Sequence, residues 1–277
     1  VLETFVDLYN KDLIYRGEYI INWCPRCETA LSDIEVEHED AKGSLWHIKY
    51  PVVNSKTNES IVIATTRPET LFGDTAIAVY PSDKRYKHLI GTHVHLPLTN
   101  RTIPIIADAH VDPEFGSGAV KVTPAHDAND YAIGDRHSLE RIKIMDQTGK
   151  MNENSPDVYQ GMDRFDCRKQ LVDDLEKQGF LEKIEDHQLS RGHCYRCHTV
   201  IEPYLSKQWF VAMKKMAKAG IDVIKTGDIK FTPSRWEKIY FDWMGDIRDW
   251  CISRQIWWGH RIPVFYCDSC DDPIVQK

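Results

Sequence analysis

The chain has 277 residues, 42% hydrophobic and 28% charged, a composition typical of soluble globular proteins of one large or two modest domains. Its formal net charge of −7 argues against a dedicated nucleic-acid binder, so any contact with nucleic acid is expected to be local. No apolar run approaches the ~20 residues of a membrane helix, and no secretory signal is recognisable. We therefore predict a cytoplasmic location and no membrane partner. Because the chain starts at Val1 and stops at Lys277 without a clear end, we expect a fragment of a longer protein.

Helical spacing of apolar side chains over residues 1–16 predicts an N-terminal helix that ends at Gly17. From about residue 44 to 145, short β-rich runs are separated by Gly, Pro, Asn and Asp. These runs are SLWHIKYPVV, SIVIATT, TAIAVY, HVHLPL, RTIPIIA, GAVKVT and RIKIM. They predict a largely antiparallel or mixed sheet that curls into a barrel.

Helices are expected around and after this β-rich body. One should start near Asp127, and another should run from Asp163 to Gln178, with Asp163 as N-cap and Gly179 as terminator. Beyond residue 205, QWFVAMKKMAKAGIDVI predicts a further helix. Its lysines are expected to form a solvated face, and the tryptophans that follow it to pack in a core, except in ISRQIWWGH. These residues are Lys214, Lys215 and Lys218, and Trp236, Trp243, Trp250, Trp257 and Trp258.

The predicted fold class is therefore α+β: a β-barrel-like body with peripheral helices, a neck of zinc knuckles and a helical C-terminal flank. The knuckles are predicted from three CxxC pairs, Cys24/Cys27, Cys194/Cys197 and Cys267/Cys270. In a chain without a secretory signal, cysteines suggest metal binding before disulfides. The first two pairs flank the β-rich body, and four thiolates at ~2.3 Å would form a closed tetrahedral zinc site that joins its two ends.

Other interpretations of the cysteines stay open. The four thiols could be reduced and metal-free, or one knuckle could use His193 or His198 instead. Cys267 and Cys270 have no partner pair after them and look like half of a second site. Cys167 and Cys251 stand alone and are expected to be small buried apolar residues.

A polar cluster follows the apolar run in GAVKVTPAHDANDY, residues 118–131. Alternation along the strand places Lys121 and Thr123 on one face. The cluster could be plain surface, a metal site, a hydrolytic centre or a pocket for a small charged molecule. Asp127 could cap the following helix with Asp130 at its third position, and Lys121 could pair with Glu114 at a rim. No motif for a covalent nucleophile, a phosphate loop or a dinucleotide is present, which favours binding or hydrolysis by positioned water.

Several long stretches closely resemble valyl-tRNA synthetases, which are class I aminoacyl-tRNA synthetases. The stretches are ATTRPETLFGDTAIAV, GSGAVKVTPAHDANDY, KMNENSPDVYQGMDRFDCRK, EPYLSKQWFV and DWCISRQIWWGHRIP. The resemblance implies an inserted editing domain with flanking connectors. The HIGH and KMSKS motifs of the adenylation site are absent from the sequence, so the chain is not expected to make aminoacyl-tRNA.

The resemblance also implies an organisation along the chain. Residues 1–40 would form an N-terminal connector with the first zinc knuckle, and residues 41–186 the editing domain. Residues 187–206 would form the second knuckle, and residues 207–277 a connector that returns to the catalytic domain of the full-length chain. The fragment is expected to be a monomer whose partners are that catalytic domain and the acceptor end of tRNA(Val).

The implied activity is hydrolysis of threonine wrongly esterified to tRNA(Val), and also of threonyl-adenylate, by positioned water. A pocket shaped for valine cannot strongly reject threonine, so a second site must remove the error. The implied catalytic residues are Lys121, Thr123, Asp127 and Asp130, with Asp130 anchoring the α-ammonium group. The implied substrate-binding residues are Thr65, Thr66, Arg67, Glu69, Thr70 and His126.

The general base is left open between His126 and a hydroxyl of the terminal ribose. Arg67 could instead be a structural ion-pair partner. Zinc would be structural, the hydrolysis would need no cofactor, and ATP with Mg²⁺ would serve only the full-length enzyme. The alternative function is a non-catalytic, zinc-stapled tRNA-binding module.

Overall fold

The computed structural model describes residues 1–276, without the side chains of Asp271 and Asp272, and it contains two compact units. The larger unit comprises residues 20–28 and 33–205, and the smaller unit comprises residues 1–19, 29–32 and 206 onward. The chain passes from one unit to the other four times: within β1 (Ile14–Cys24), before and after residues 29–32, and within β10 (Glu202–Val211). The boundaries predicted at residues 40, 186 and 206 stay predictions.

Two separate sheets form the larger unit. The first has the order β4-β3-β9, all antiparallel, from β3 (Val36–Pro51), β4 (Ser60–Thr65) and β9 (Leu181–Cys194). The second has the order β6-β7-β5-β8, from β5 (Ala76–Val79), β6 (His93–His95), β7 (Thr102–Ala107) and β8 (Ala119–Val122). Only the β5–β7 pair is parallel, and every residue of β5 is buried.

The predicted closure of these strands into a barrel is wrong. Within residues 1–276, β3 uses both of its edges on β4 and β9, while β8 pairs with β5 alone. A closed barrel needs a continuous ladder around the ring, and this sheet pairing does not provide one. One predicted strand, RIKIM, is also wrong, because Met145 forms only an isolated bridge to Met151. The α+β class itself is confirmed.

Two helices complete the larger unit and begin where their caps predict. Helix α2 (Ala128–His137) follows its N-cap Asp127, and α3 (Arg164–Lys177) follows its N-cap Asp163. Gly179 follows α3 with a φ of +77°, a left-handed conformation that ends a helix. The buried face of α3 contributes Cys167, Leu171 and Leu175 to the main hydrophobic core, as the helical spacing predicts.

The smaller unit contains α1 (Leu2–Asn10), α4 (Met213–Lys225) and α5 (Trp236–Gly245). Its strands are β2 (Thr29–Leu31), β11 (Trp250–Cys251), β12 (Val264–Cys267) and β13 (Cys270–Val275), together with residues of β1 and β10. Phe5, Ile14, Trp209, Val211 and Val264 form its hydrophobic core. No helix in the described residues is both long enough and apolar enough to cross a membrane.

Both helices predicted for this unit are too long. Helix α1 stops at Asn10 because Asp12 takes a φ of 54°, and the chain then enters β1, which contains Gly17. The residues from Gln208 to Val211 belong to strand β10 and are all buried, so α4 starts only at Met213. Lys214, Lys215 and Lys218 of α4 are exposed, as predicted.

The tryptophans that follow are not core residues, and their predicted packing is wrong. Among the tryptophans predicted to pack, Trp236, Trp243 and Trp250 are 46%, 60% and 50% exposed. Trp257 and Trp258, which lie in the excepted ISRQIWWGH segment, are 96% and 82% exposed. The helix α5 that carries Trp236 and Trp243 has no buried residue. Trp209, on β10, is the tryptophan that packs in this unit's core.

Candidate active site and cysteine cluster

A cavity of about 480 Å³ lies in the larger unit, between residues of β4, β8 and the first turn of α2. Nine of the ten predicted site residues line it, although they come from distant parts of the sequence. These are Thr65, Thr66, Arg67, Thr70, Lys121, Thr123, His126, Asp127 and Asp130. The structure therefore brings the two sequence motifs, TTRPET and KVTPAHDAND, to one place.

Lys121 is the most enclosed cation of this cavity. Lys121 is only 7% exposed. Its Nζ donates to Thr70 Oγ1 at 2.7 Å and to Thr123 Oγ1 at 2.5 Å. A third bond of 2.9 Å goes to Oδ1 of Asp74. The alternative of a rim lysine paired with Glu114 is therefore wrong, because the side chain points inward from β8 and has a buried partner.

Asp74 is the residue that sequence reasoning missed. It is fully buried, and its Oδ1 accepts from Lys121 and, at 2.6 Å, from the Thr123 hydroxyl, while its Oδ2 accepts from the Tyr50 hydroxyl at 2.8 Å. Burial raises the pKa of Asp74, and the charge of Lys121 opposes that rise. A signal was available: one carboxylate inside the apolar run LFGDTAIAV must find a partner for its charge.

Two carboxylates sit at the start of α2. Asp127 caps the helix, accepting from the backbone N of Asn129 at 2.7 Å and of Asp130 at 3.1 Å, so the capping prediction is confirmed. Asp130 Oδ2 accepts from the backbone N of Thr123 at 2.9 Å. Burial first, and then the charge of Asp127, raise the pKa of Asp130 to about 7. The cavity thus holds a shielded carboxyl group that titrates near neutral pH.

His126 is buried, and one of its two ring nitrogens is already engaged. Its Nε2 accepts from the backbone N of Ile144 at 3.0 Å, which assigns the ring proton to Nδ1. Burial, and the charges of Arg67 and Lys121, hold the pKa of His126 well below its usual range, so the ring is neutral. The lone pair of Nε2 is therefore occupied, which argues against His126 as the general base. The Nδ1–H has no hydrogen-bond partner among the described residues.

Arg67 is both a cavity residue and an ion-pair partner. Its Nη1 donates to the His126 carbonyl at 2.7 Å, its Nη2 pairs with Glu202, and its Nε lies 3.4 Å from Glu69. These bonds match the structural alternative for Arg67, while its side chain still keeps 24% exposure. The bond to His126 fixes the turn that carries the histidine.

Glu69 is the predicted site residue that lies outside the cavity lining. It is fully buried, and Arg168 of α3 donates to both of its carboxylate oxygens at 2.7 Å. Burial disfavours the charge, but the bonds from Arg168 outweigh it and lower the pKa of Glu69. Its geometry is that of a structural ion pair between the Pro68–Gly73 turn and α3, not that of a group facing a ligand.

Apolar and aromatic groups form most of the rest of the lining, together with Asp112 and Asn129. The apolar and aromatic groups include Leu45, Phe115, His187 and Leu189, from β3, β9 and the loop before β8. Phe115 is 57% exposed, and its ring meets the His187 ring edge-on at 6.4 Å. Phe115 was not predicted, since one aromatic residue in a glycine-rich turn gives no distinctive pattern. The cavity therefore offers a flat aromatic surface in addition to its polar groups.

The four cysteines of the first two CxxC pairs come together in the larger unit. The sulfur atoms of Cys24, Cys27, Cys194 and Cys197 all lie within 4.8 Å of one another, and Cys24 Sγ is 3.4 Å from Cys197 Sγ. A tetrahedral ion at ~2.3 Å from each sulfur requires separations of about 3.8 Å, so this cluster could hold a metal ion. His193 and His198 do not belong to the cluster as the described residues form it.

The thiols of the cluster differ in acidity. Burial raises the pKa values of Cys24 and Cys27, whereas for Cys197 the bonds from Thr199 outweigh burial and lower the pKa to about 6. Cys27 N also donates to Cys24 Sγ at 3.3 Å. One thiolate is thus available at neutral pH, and a cation would be needed to stabilise the others.

The remaining cysteines behave as two further groups. Cys267 and Cys270 are exposed on the β12–β13 hairpin, and in the described part of the chain they join no cluster of three or more ligands. Half of a second metal site stays a prediction for this pair. Cys167 and Cys251 are buried, as expected of small apolar residues.

Comparison with known proteins shows the family of this chain. The family of class I tRNA synthetases (I, L, M and V) matches residues 1–277, so the chain belongs to the class I tRNA synthetases. Its relatives include the valine--tRNA ligases of Thermotoga maritima, 60% identical over 270 residues, and of Clostridium tetani, 58% identical over 277 residues. These matches cover 98% and 100% of this chain but only 31% of each ligase, so the chain spans about a third of these curated relatives.

The resemblance to valyl-tRNA synthetases is thereby confirmed over the whole chain. The valine--tRNA ligase of Pseudothermotoga lettingae is also similar, with 57% identity over 277 residues, which is 100% of this chain and 32% of that ligase. Which part of the ligase activity resides in this third is a separate question, and it has to be answered from the cavity.

The buried pair of Lys121 and Asp74 yields a prediction for stability. Lys121→Met should lower the free energy of unfolding by about 3–5 kcal/mol, because it leaves a buried carboxylate without its cation. The double variant Lys121→Met/Asp74→Leu should be more stable than this single variant, because it removes both charges. Urea unfolding followed by circular dichroism measures both.

Lys169→Met is the matched control, since Lys169 is an exposed lysine that pairs with Asp166 on α3. Its free energy of unfolding should change by about 0.5 kcal/mol or less. Equal losses for the Lys121 and Lys169 variants would contradict the pairing.

Proposed function

We propose that this chain is the editing part of a valine--tRNA ligase, and that it hydrolyses the ester of threonine wrongly attached to tRNA(Val). One observation supports this most: the hydroxyl-rich cluster around Lys121 and the carboxylate of Asp130 line the same cavity. Threonine as an ester presents a hydroxyl group and a positive α-ammonium group. The cavity has a complement for each.

The hydroxyl is what separates threonine from valine, which has a methyl group in the same place. The hydroxyls of Thr70 and Thr123 lie around Lys121 and can hydrogen-bond a third hydroxyl. Valine would leave the one remaining acceptor position on each of these hydroxyls without a donor, and an unsatisfied buried polar group costs roughly 1–3 kcal/mol. That cost corresponds to about 5- to 150-fold in binding, in the direction that protects correctly charged tRNA.

The α-ammonium group would pair with Asp130, supported by the nearby charge of Asp127. Charge-assisted hydrogen bonds in a shielded pocket are strong, so this contact would fix the amino acid. The terminal adenosine would lie on the exposed ring of Phe115. These two contacts together hold the ester between them.

The reaction needs no covalent intermediate. A water oxygen attacks the ester carbonyl carbon, the bond from that carbon to the ribose oxygen breaks, and the ribose oxygen takes a proton. His126 offers a neutral Nδ1–H to the carbonyl oxygen, where negative charge develops. Threonyl-adenylate, the second implied substrate, carries the same ammonium and hydroxyl groups.

We further propose that the four-cysteine cluster holds a structural zinc ion. Zinc bound by Cys24, Cys27, Cys194 and Cys197 has no open position and would supply folding energy only. The hydrolysis itself uses no cofactor. ATP and Mg²⁺ would serve adenylation elsewhere in the ligase.

The remaining partners stay predictions. The acceptor end of tRNA(Val) would bring the ester to the cavity, and the catalytic domain would belong to the same longer chain. The monomeric state and the cytoplasmic location also stay predictions.

The activity is tested by deacylation of Thr-tRNA(Val), using this chain and a full-length ligase that contains it. Asp130→Asn should lower the rate at least about tenfold, because it removes the partner of the α-ammonium group. Asp173→Asn, an exposed carboxylate on α3, is the control and should keep the full rate. If neither parent protein cleaves faster than buffer, the alternative of a non-catalytic tRNA-binding module is supported instead.

Asp130 also predicts a pH dependence. Only the ionised carboxylate pairs with an ammonium group, so affinity for a threonyl-adenosine amide should rise as pH increases through about 7. It should fall again above about pH 8, where the α-ammonium group loses its proton. Calorimetric titrations at pH values from below about 7 to above about 8 measure both changes, and Asp130→Asn should lack the rising part. A flat profile in the parent protein would contradict the ammonium contact.

The zinc proposal predicts about one zinc ion per chain, measured by metal analysis after purification. Cys194→Ala should lose the metal and lower the melting temperature, because metal binding contributes folding free energy. Cys167→Ala is the control, since Cys167 is equally buried but lies in α3 outside the cluster. It should keep the metal, and a metal-free parent chain would disprove the site.

A further inference from the structure

The protons of the Lys121 ammonium group are all used inside the protein. An ammonium group has three N–H donors and no acceptor. Its three bonds go to Thr70 Oγ1, Thr123 Oγ1 and Asp74 Oδ1, at 2.7, 2.5 and 2.9 Å. Lys121 therefore has no proton left for a ligand, although it lines the cavity.

The two threonine hydroxyls have also committed their protons. Thr123 donates its proton to Asp74 Oδ1 at 2.6 Å, and Thr70 donates its proton to the Arg67 carbonyl at 2.9 Å. Each hydroxyl oxygen accepts one bond from Lys121, and a hydroxyl oxygen has two acceptor positions. Each therefore has one position left, and both hydroxyls can only accept a hydrogen bond from a ligand.

Asp74 keeps this arrangement from reversing. An ionised carboxylate has no proton to give, so Thr123 cannot turn its own proton toward the cavity without losing its acceptor. The carboxylate is itself held from outside the cavity by the Tyr50 hydroxyl at 2.8 Å. Arg101 holds the backbone, donating to the carbonyls of Phe72 at 2.7 Å and of Asp74 at 2.9 Å.

We propose that Asp74 determines specificity by fixing the hydrogen-bond polarity of the cavity, so that the site recognises a ligand group that donates a proton. This inference rests on the proposed editing function and goes beyond it. The threonine hydroxyl is bound through its hydrogen atom. A ligand oxygen or fluorine atom that carries no hydrogen gains no more affinity at this position than a carbon atom does. Asp74 acts through Lys121 and Thr123 and is a positioning residue, since it does not line the cavity.

The test measures the affinity of this chain for five adenosine compounds, each carrying an amino acid as a 3′-amide in place of the ester. Threonyl and valyl compounds differ by hydroxyl against methyl. O-methylthreonyl and isoleucyl compounds have one shape and differ by ether oxygen against methylene. The fifth compound has fluorine in place of the threonine hydroxyl and fits wherever threonine fits.

The expected result is a threonyl compound that binds about tenfold or more tightly than the valyl compound. The ether should bind within about threefold of the isoleucyl compound, and the fluoro compound within about threefold of the valyl compound. A larger preference for the ether or for fluorine would overturn the inference while leaving the editing proposal intact. If the ether and isoleucyl compounds are too large to bind, the fluoro compound decides.

If the chain binds the threonyl compound no more tightly than the valyl compound, the proposed function is contradicted, and the inference with it. Asp74→Asn tests the positioning role. Its amide can donate a hydrogen bond to Thr123, so the Thr123 hydroxyl becomes free to donate its own proton into the cavity. This variant should raise the relative affinity for the ether compound over the isoleucyl compound.

Tyr50→Phe is the matched control for Asp74→Asn. It also removes a hydrogen bond from Asp74 but leaves the bonds of Oδ1 to Lys121 and Thr123 in place. It should lower stability and leave the affinity ratios unchanged. A change in the ratios for both variants would show a merely structural effect and overturn the role of Asp74.

Discussion

The candidate site depends on one buried ion pair, between Lys121 on β8 and Asp74 at the end of the Pro68–Gly73 turn. Neither charge could stay in this interior alone, because the desolvation of an unpaired ion costs several kcal/mol. Since the two residues come from different motifs, their attraction also fixes the distance between the motifs. The threonine hydroxyls and the Tyr50 hydroxyl complete the coordination of both ions. The stability of the larger unit and the proposed ligand recognition therefore rely on the same few atoms.

A second group of buried charges holds the surrounding wall. Arg67 and Arg168 share Glu69, and Arg67 also pairs with Glu202. None of these pairs needs a ligand to be satisfied, whereas Asp130 forms no ion pair with the described residues and burial raises its pKa to about 7. The contrast is informative: a site prepared for a cation keeps one acid short of partners, while the acids around it are paired.

Much of this could be predicted from the sequence, and the failures have physical causes. Helix caps such as Asp127 and Asp163 depend on local chemistry, so α2 and α3 were placed correctly. Barrel closure depends on which strand edges pair, and this information is not local. Gln208 to Val211 read as helix because periodicity cannot distinguish a fully buried strand from a buried helix segment. The exposed tryptophans show that apolar character alone does not place a side chain in a core.

Nine of the ten predicted site residues meet in one cavity although the predicted barrel does not close, because the chemistry of a residue does not depend on strand order. Lys121, Thr123 and Asp130 were found from their spacing and from the family resemblance, yet their common partner Asp74 was missed. A buried counter-ion is invisible when each motif is considered by itself. The same holds for His126, whose ring orientation is set by the backbone of Ile144 and not by its own motif.

The cysteine cluster has a mechanical consequence. It joins the end of β1 to the end of β9, so everything between Cys27 and Cys194 lies inside a loop closed by the cluster. With a metal ion bound by the four sulfur atoms, tension applied along the polypeptide would pass from one CxxC pair to the other and bypass that loop. The cavity would then be protected from mechanical force applied to its flanking segments.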